Sequence, residues 1–110
     1  MADDAEVPAG AAVLPEIPPE LGVHPLLLAV LHAAVFLAGS DDKIVDPDAG
    51  QEALEHLAAY LQRLDGPDLE RVRADLETLH EHARRERWPK AEAQFFKTFL
   101  ADFGVTQGEA

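Results

Sequence analysis

The chain contains no cysteine and a single serine among its 110 residues. Without thiols there are no disulfides, no thiolate metal site and no cysteine nucleophile. Ser40 is the sole serine, Thr78, Thr98 and Thr106 are the only threonines, and no Gly-x-Ser-x-Gly, phosphate-cradling glycine loop or His-Glu-x-x-His is present. No catalytic activity is expected. Bases are scarce too, with nine Lys and Arg against 21 Asp and Glu, for a formal net charge of -12. A field of that sign repels nucleic acid and anionic membranes and leaves proteins, basic ones included, as partners.

A membrane span is also missing. No charge stands between Glu20 and Asp41, but the helical part of that run, Pro25 to Ala38, would be about 21 Å long against a hydrocarbon core of ~30 Å. A buried helix is the expectation. The segment MADDAEVPAG is acidic where a secretory signal is basic, so no export signal is expected and the location is cytoplasmic.

What is present is a globular balance, 47% hydrophobic and 27% charged, at a length that suits one domain. Residues 1–20 hold four of the eight prolines, five acids and no base, with apolar residues in neither helical nor strand period. They read as a disordered or extended acidic tail, followed by a single helical domain over 21–105 and a short C-terminal tail over 106–110.

Four helices are expected, each with proline at or near its first turn, where a missing N–H costs nothing. The first, Pro25 to about Ala38, is apolar on every face, belongs at the centre of the core and ends at Gly39, which suits a left-handed cap. The second opens with Asp46 as N-cap, carries the stripe Leu54, Leu57, Ala58, Leu61 and Leu64, and ends at Gly66. The third runs from Pro67 to about Arg87 on the narrow stripe Leu69, Val72, Leu76, Leu79 and Ala83, with Arg71 and Asp75 paired on its wet face. The fourth, Pro89 to Phe103, gathers Phe95, Phe96, Phe99, Leu100 and Phe103 and stops at Gly104, where Val105 folds back as in a Schellman cap. The fold class is all-α, a compact and mostly antiparallel four-helix bundle.

Chemistry-bearing residues cluster in three places. GSDDKIVDPDAGQE, residues 39–52, puts Asp41, Asp42, Asp46 and Asp48 within eight residues. The EF-hand frame fails from either Asp41 or Asp46, because lysine, valine or glycine falls where ligands are required. A looser calcium or magnesium site from these four aspartates is one reading; capping by Asp46, dipole compensation by Asp48 and a wet loop at Asp41 and Asp42 is the other. Glu77 and His80 have the Glu-x-x-His spacing of di-iron bundles, but the motif occurs once and Glu77 points off the stripe. His56, His80 and His82 read as surface residues and His32 as a neutral core histidine. ARRERWPK, residues 83–90, is net positive, and Arg84, Arg85, Arg87, Trp88 and Lys90 form a candidate anchor for an acidic partner.

An alanine-rich apolar helix, a turn bearing glycine and aspartates, and an apolar pair before the next helix resemble the TerB-like family of small bacterial helical domains. Ala33, Ala34, Ala38, Gly39, Asp41, Asp42, Ile44, Val45 and Asp48 carry the likeness. It implies an all-helical domain tied to stress response or partner binding, with the acidic residues as a metal site. The residues themselves favour a non-catalytic protein-protein interaction module that also forms a homodimer, with Leu28 and Phe96 on the associating surface. The alternatives are a hard-cation sensor at Asp41 to Asp48 and an acidic mimic of nucleic acid that occupies a basic groove.

Overall fold

The computed structural model describes residues 9–105. Within them the chain forms a single 3-10 turn, Pro19–Leu21, then four α-helices: α1 Pro25–Gly39, α2 Pro47–Leu61, α3 Gly66–Arg85 and α4 Lys90–Asp102. Among the described residues there is no strand, and no helix that is long and apolar enough to cross a membrane.

The prolines mark the starts as expected. Pro25, Pro47 and Pro67 lie in the first turns of α1, α2 and α3, and Pro89 stands just before α4 as its N-cap. Asp46 caps α2, its Oδ2 accepting from the Ala49 N–H at 2.9 Å. The cap of α1 is His24, whose Nδ1 accepts from the Leu26 N–H at 3.1 Å, so that nitrogen carries no hydrogen and the proton sits on Nε2. At the end of α4, Gly104 takes φ 77° and the Val105 N–H donates to Leu100 O at 2.9 Å, the Schellman arrangement read from the sequence.

Three other ends differ. Helix α2 stops at Leu61 with Gln62 as its C-cap, and Gly66 opens α3 instead of closing α2. Gly39 stays helical and Ser40 caps α1 with φ -76°, because the preceding chain lies across this end: Ser40 Oγ accepts from the Ala12 N–H at 2.9 Å. Helix α3 stops at Arg85, two residues early, in a second Schellman motif in which Arg87 takes the left-handed position at φ 59° and the Trp88 N–H donates to Ala83 O at 2.9 Å. Pro89 disfavours the helical conformation at Trp88, and the Trp88 ring packs back on α3.

The core is built on α3 and α4, which pair most closely, with α1 laid over them and α2 packed mainly against α1. Leu31, Leu79, Phe96 and Phe99 are its largest fully buried side chains. The α3 stripe is buried as read at Leu69, Leu76, Leu79 and Ala83, with Val72 half-buried. Along α4 the Phe95, Phe96, Phe99 and Phe103 rings contact one another at 4.7 to 5.6 Å between centroids, each pair contributing about 0.5–1.5 kcal/mol beyond its burial.

Two expectations are corrected here. Residues 9–20 are not a tail outside the core, because Leu14 and Ile17 are only 2% and 8% exposed. The segment is held to the loop after α1 by Ala12 on Ser40 and by the Asp41 N–H donating to Gly10 O at 2.9 Å. It is extended, as one of the two readings had it, but it is a strap over the core. The rest of the expected tail, residues 1–8, and the C-terminal tail 106–110 lie outside the described residues. The second correction concerns α1, which buries only Leu27, Leu31 and Ala34 and leaves Leu26 71% and Phe36 39% exposed. Leu14, Ile17 and Val23 fill part of the core that α1 was expected to supply, and α2 covers only one side of it.

Helix α2 is lightly anchored. Its one buried residue is Gly50, and Leu54, Leu57, Ala58 and Leu61 are half-buried. Gly50 permits the approach to α1, since a Cβ there would stand 2.8 Å from Val45 Cγ1 and 3.3 Å from Leu37 O. At the far end, Gln62 Nε2 donates to Phe103 O at 2.9 Å and ties α2 to the end of α4.

Asp75 is the buried charged side chain of the core. Its Oδ2 accepts from the His24 N–H at 3.0 Å, and both oxygens accept from Arg71 Nε at 3.0 and 3.1 Å. Arg71 Nη2 donates onward to Gly22 O at 3.0 Å. The pair read as a wet-face bridge is instead the clamp that fixes the entry to α1 against α3.

Candidate interaction surfaces

The sequence-derived sites separate in space and in role. Asp46 is committed to the α2 cap, and Asp41 Oδ1 accepts from the Lys43 N–H at 3.0 Å in the turn leading to it. Asp48 sits in the first turn of α2, where its charge answers the helix dipole, and Asp42 is exposed. No group of three or more metal-ligating side chains comes together among the described residues, so the four aspartates are not gathered as a cation cage. Saturating calcium or magnesium is therefore expected to move the melting temperature by less than about 1 °C. A micromolar site would instead add about 4 kcal/mol at a thousandfold excess, a saturable shift that calorimetry would register at once.

The basic corner is more strongly built into the fold than the residues suggested. Trp88 is half-buried, edge-on to His82 at 5.6 Å and tilted against Phe96 at 6.0 Å. Its ring therefore serves the packing of α3 on α4. Arg84, Arg85, Arg87 and Lys90 stand exposed around it.

The histidines also sort themselves. His56 is exposed, with Nδ1 3.1 Å from Glu52 O within α2. His80 departs from the surface reading: it is half-buried, and its Nδ1–H donates to Ala93 O at 3.0 Å, linking α3 to α4. Glu77 is exposed beside it, so the Glu-x-x-His spacing gathers no inward ligand set. His32 is half-buried on α1 rather than enclosed in the core.

The leftover apolar surface expected on α1 at Leu28 lies instead on the outer face of that helix. Leu26, Ala29, Ala33 and Phe36 are all exposed and lie three, four and three residues apart, the seam spacing of a helix that meets another helix. No charged residue interrupts them. Leu28, expected at such a surface, is half-buried, and Phe96 is only 1% exposed and lies in the core. At the Leu26 end the face meets a groove of about 340 Å³ whose apolar wall is Leu27, Val30, Leu61, Leu64 and Val72. A helix apolar on every side hides which of its faces is left over. The seam spacing was the only signal that marked this one.

Compared with protein families, with curated proteins and with solved structures, the chain has no match.

Proposed function

We propose that this is a non-catalytic, cytoplasmic interaction module built on a mostly antiparallel four-helix bundle, and that it self-associates through the outer face of α1. The observation that carries the reading is the exposure of Leu26 and Phe36 at the two ends of an uncharged helical face. In a chain of net charge -12, two copies repel one another, and the approach least opposed is through the one helix that bears no charge.

The spacing of that face reads the same in both directions about Leu31. Two α1 helices packed antiparallel on a twofold axis would bring Ala29 opposite Ala33 of the second copy and Leu26 opposite Phe36. The small alanines allow close approach at the centre. At each end the phenylalanine of the second copy reaches the lip of the 340 Å³ groove beside Leu26, the arrangement of an aromatic anchor over an apolar pocket. The interface is small beside the roughly 20–30 residues a side of a standard one, so a dissociation constant in the micromolar range is expected.

Sedimentation velocity over micromolar concentrations tests this. The expected result is a reversible monomer-dimer equilibrium that Leu26→Asp or Phe36→Asp converts to monomer with helicity retained. A monomer throughout the range, or a dimer untouched by both substitutions, would overturn the reading.

A further inference from the structure

On another side of the molecule from the α1 seam, α1, α2 and the end of α4 leave a groove of about 570 Å³. Its floor is apolar, formed by Ala34, Leu54, Ala58, Phe95 and Phe103, and its rim is acidic, formed by Glu55 and Asp102. The alanines create the room and the two phenylalanines form one wall. No lysine or arginine lines it. Gln51 and Glu55 also line an adjoining depression along α2 with Asp48, Glu52 and His56, so the acidic rim continues along the first half of that helix. Asp102 accepts from Thr98 Oγ1 at 2.8 Å and Glu55 from Gln51 Nε2 at 3.2 Å, both neutral donors that leave the negative charge uncompensated.

We infer that this groove is a docking site for a basic amphipathic helix of a partner protein. The charge selects the occupant: an anionic lipid, nucleotide or acidic peptide would meet Glu55, Asp102 and Glu52 in the field of a chain of net charge -12, whereas Lys and Arg beside an apolar stripe answer both floor and rim. The length fits as well. From Asp48 to Gln62 the lined surface runs about 21 Å along α2, close to four turns of a helix lying beside it. Helix α2 is lightly anchored, its Leu54 and Leu61 only partly buried against the core beside the Gly50 contact and Gln62 on Phe103 O.

The test uses the full chain and a fluorescent Leu/Lys peptide of about 15 residues in amphipathic order. Two further probes accompany it, a peptide of the same composition with the apolar stripe scrambled and one with glutamate in place of lysine. Anisotropy is expected to show saturable micromolar binding of the first peptide alone. Glu55→Lys with Asp102→Lys, and separately Ala58→Phe to fill the floor, are each expected to weaken it by about tenfold or more. Glu77→Lys with Glu81→Lys, the same change of charge on the exposed face of α3, is expected to leave it within about twofold. Circular dichroism verifies that each variant is folded. Equal binding of the scrambled peptide, or equal loss in the α3 pair, would reduce the effect to net charge and overturn the proposal, as would absence of binding to the unaltered chain.

Discussion

A chain beginning at Leu21 is expected to lose cooperative thermal unfolding, or to melt at least about 15 °C below the full-length protein. Two of the removed side chains, Leu14 and Ile17, are buried against the core. Burying each contributes about 1.5–3 kcal/mol, so their loss alone removes about 3–6 kcal/mol. The bonds from Ala12 to Ser40 Oγ and from Asp41 to Gly10 O go with them, at about 0.5–1.5 kcal/mol each. A domain of this size has about 5–15 kcal/mol in total, and each kcal/mol moves its melting temperature by about 4–8 °C. Circular dichroism melts of both chains decide the matter, with Leu14→Ala in the full chain as the milder version, expected to cost about 2–5 kcal/mol. A shortened chain that melts cooperatively within about 5 °C of the parent would show that the strap adds nothing to the core.

What the sequence revealed of this fold was whatever repeats locally. The proline starts, the Asp46 cap, the α3 stripe and the Gly104–Val105 turn all follow from short-range rules and stand where those rules put them. Leu14 and Ile17 escaped because an extended strap crossing helices has no period of its own. Arg87 escaped because a left-handed arginine is costly in isolation and is held by the packing of Trp88 and by Pro89 after it. For Asp75 a signal existed: Val72, Asp75, Leu76 and Leu79 are spaced three, four and seven apart, which sets the carboxylate beside the buried stripe rather than on the opposite face. Its pairing with an arginine one turn back gave it the appearance of a surface residue. The interaction surfaces were the least legible, since the α1 seam is defined by what fails to cover it and the 570 Å³ groove by the separation of three helices.

Asp75 itself is where a single substitution should cost most outside the apolar core. Its side chain is 10% exposed and that of Arg71 51%, so the ion pair proper is worth little more than a surface one once solvent screening is allowed for. The larger part is the set of bonds the carboxylate holds together: truncation frees the part-buried His24 N–H and releases the guanidinium that also holds Gly22 O. Asp75→Ala is expected to destabilise by about 2–3 kcal/mol, the range for a charged hydrogen-bond partner, and to lower the melting temperature by about 10–20 °C. Arg71→Met, which keeps the apolar stem and leaves Asp75 its bond to His24, should cost about 1 kcal/mol. Because both single variants remove the same Arg71–Asp75 pair, the double variant should be less than additive. The lesion should also be local in its outward signs. His24 caps α1 and its carbonyl accepts from the Leu27 and Leu28 amides, so hydrogen exchange in the first turn of α1 should accelerate well before α3 and α4 are affected. That turn carries Leu26, and a dimer built on the outer face of α1 should weaken in step with it. Asp75→Ala at parental stability, with exchange in that turn unchanged, would mean that the clamp does not position the helix.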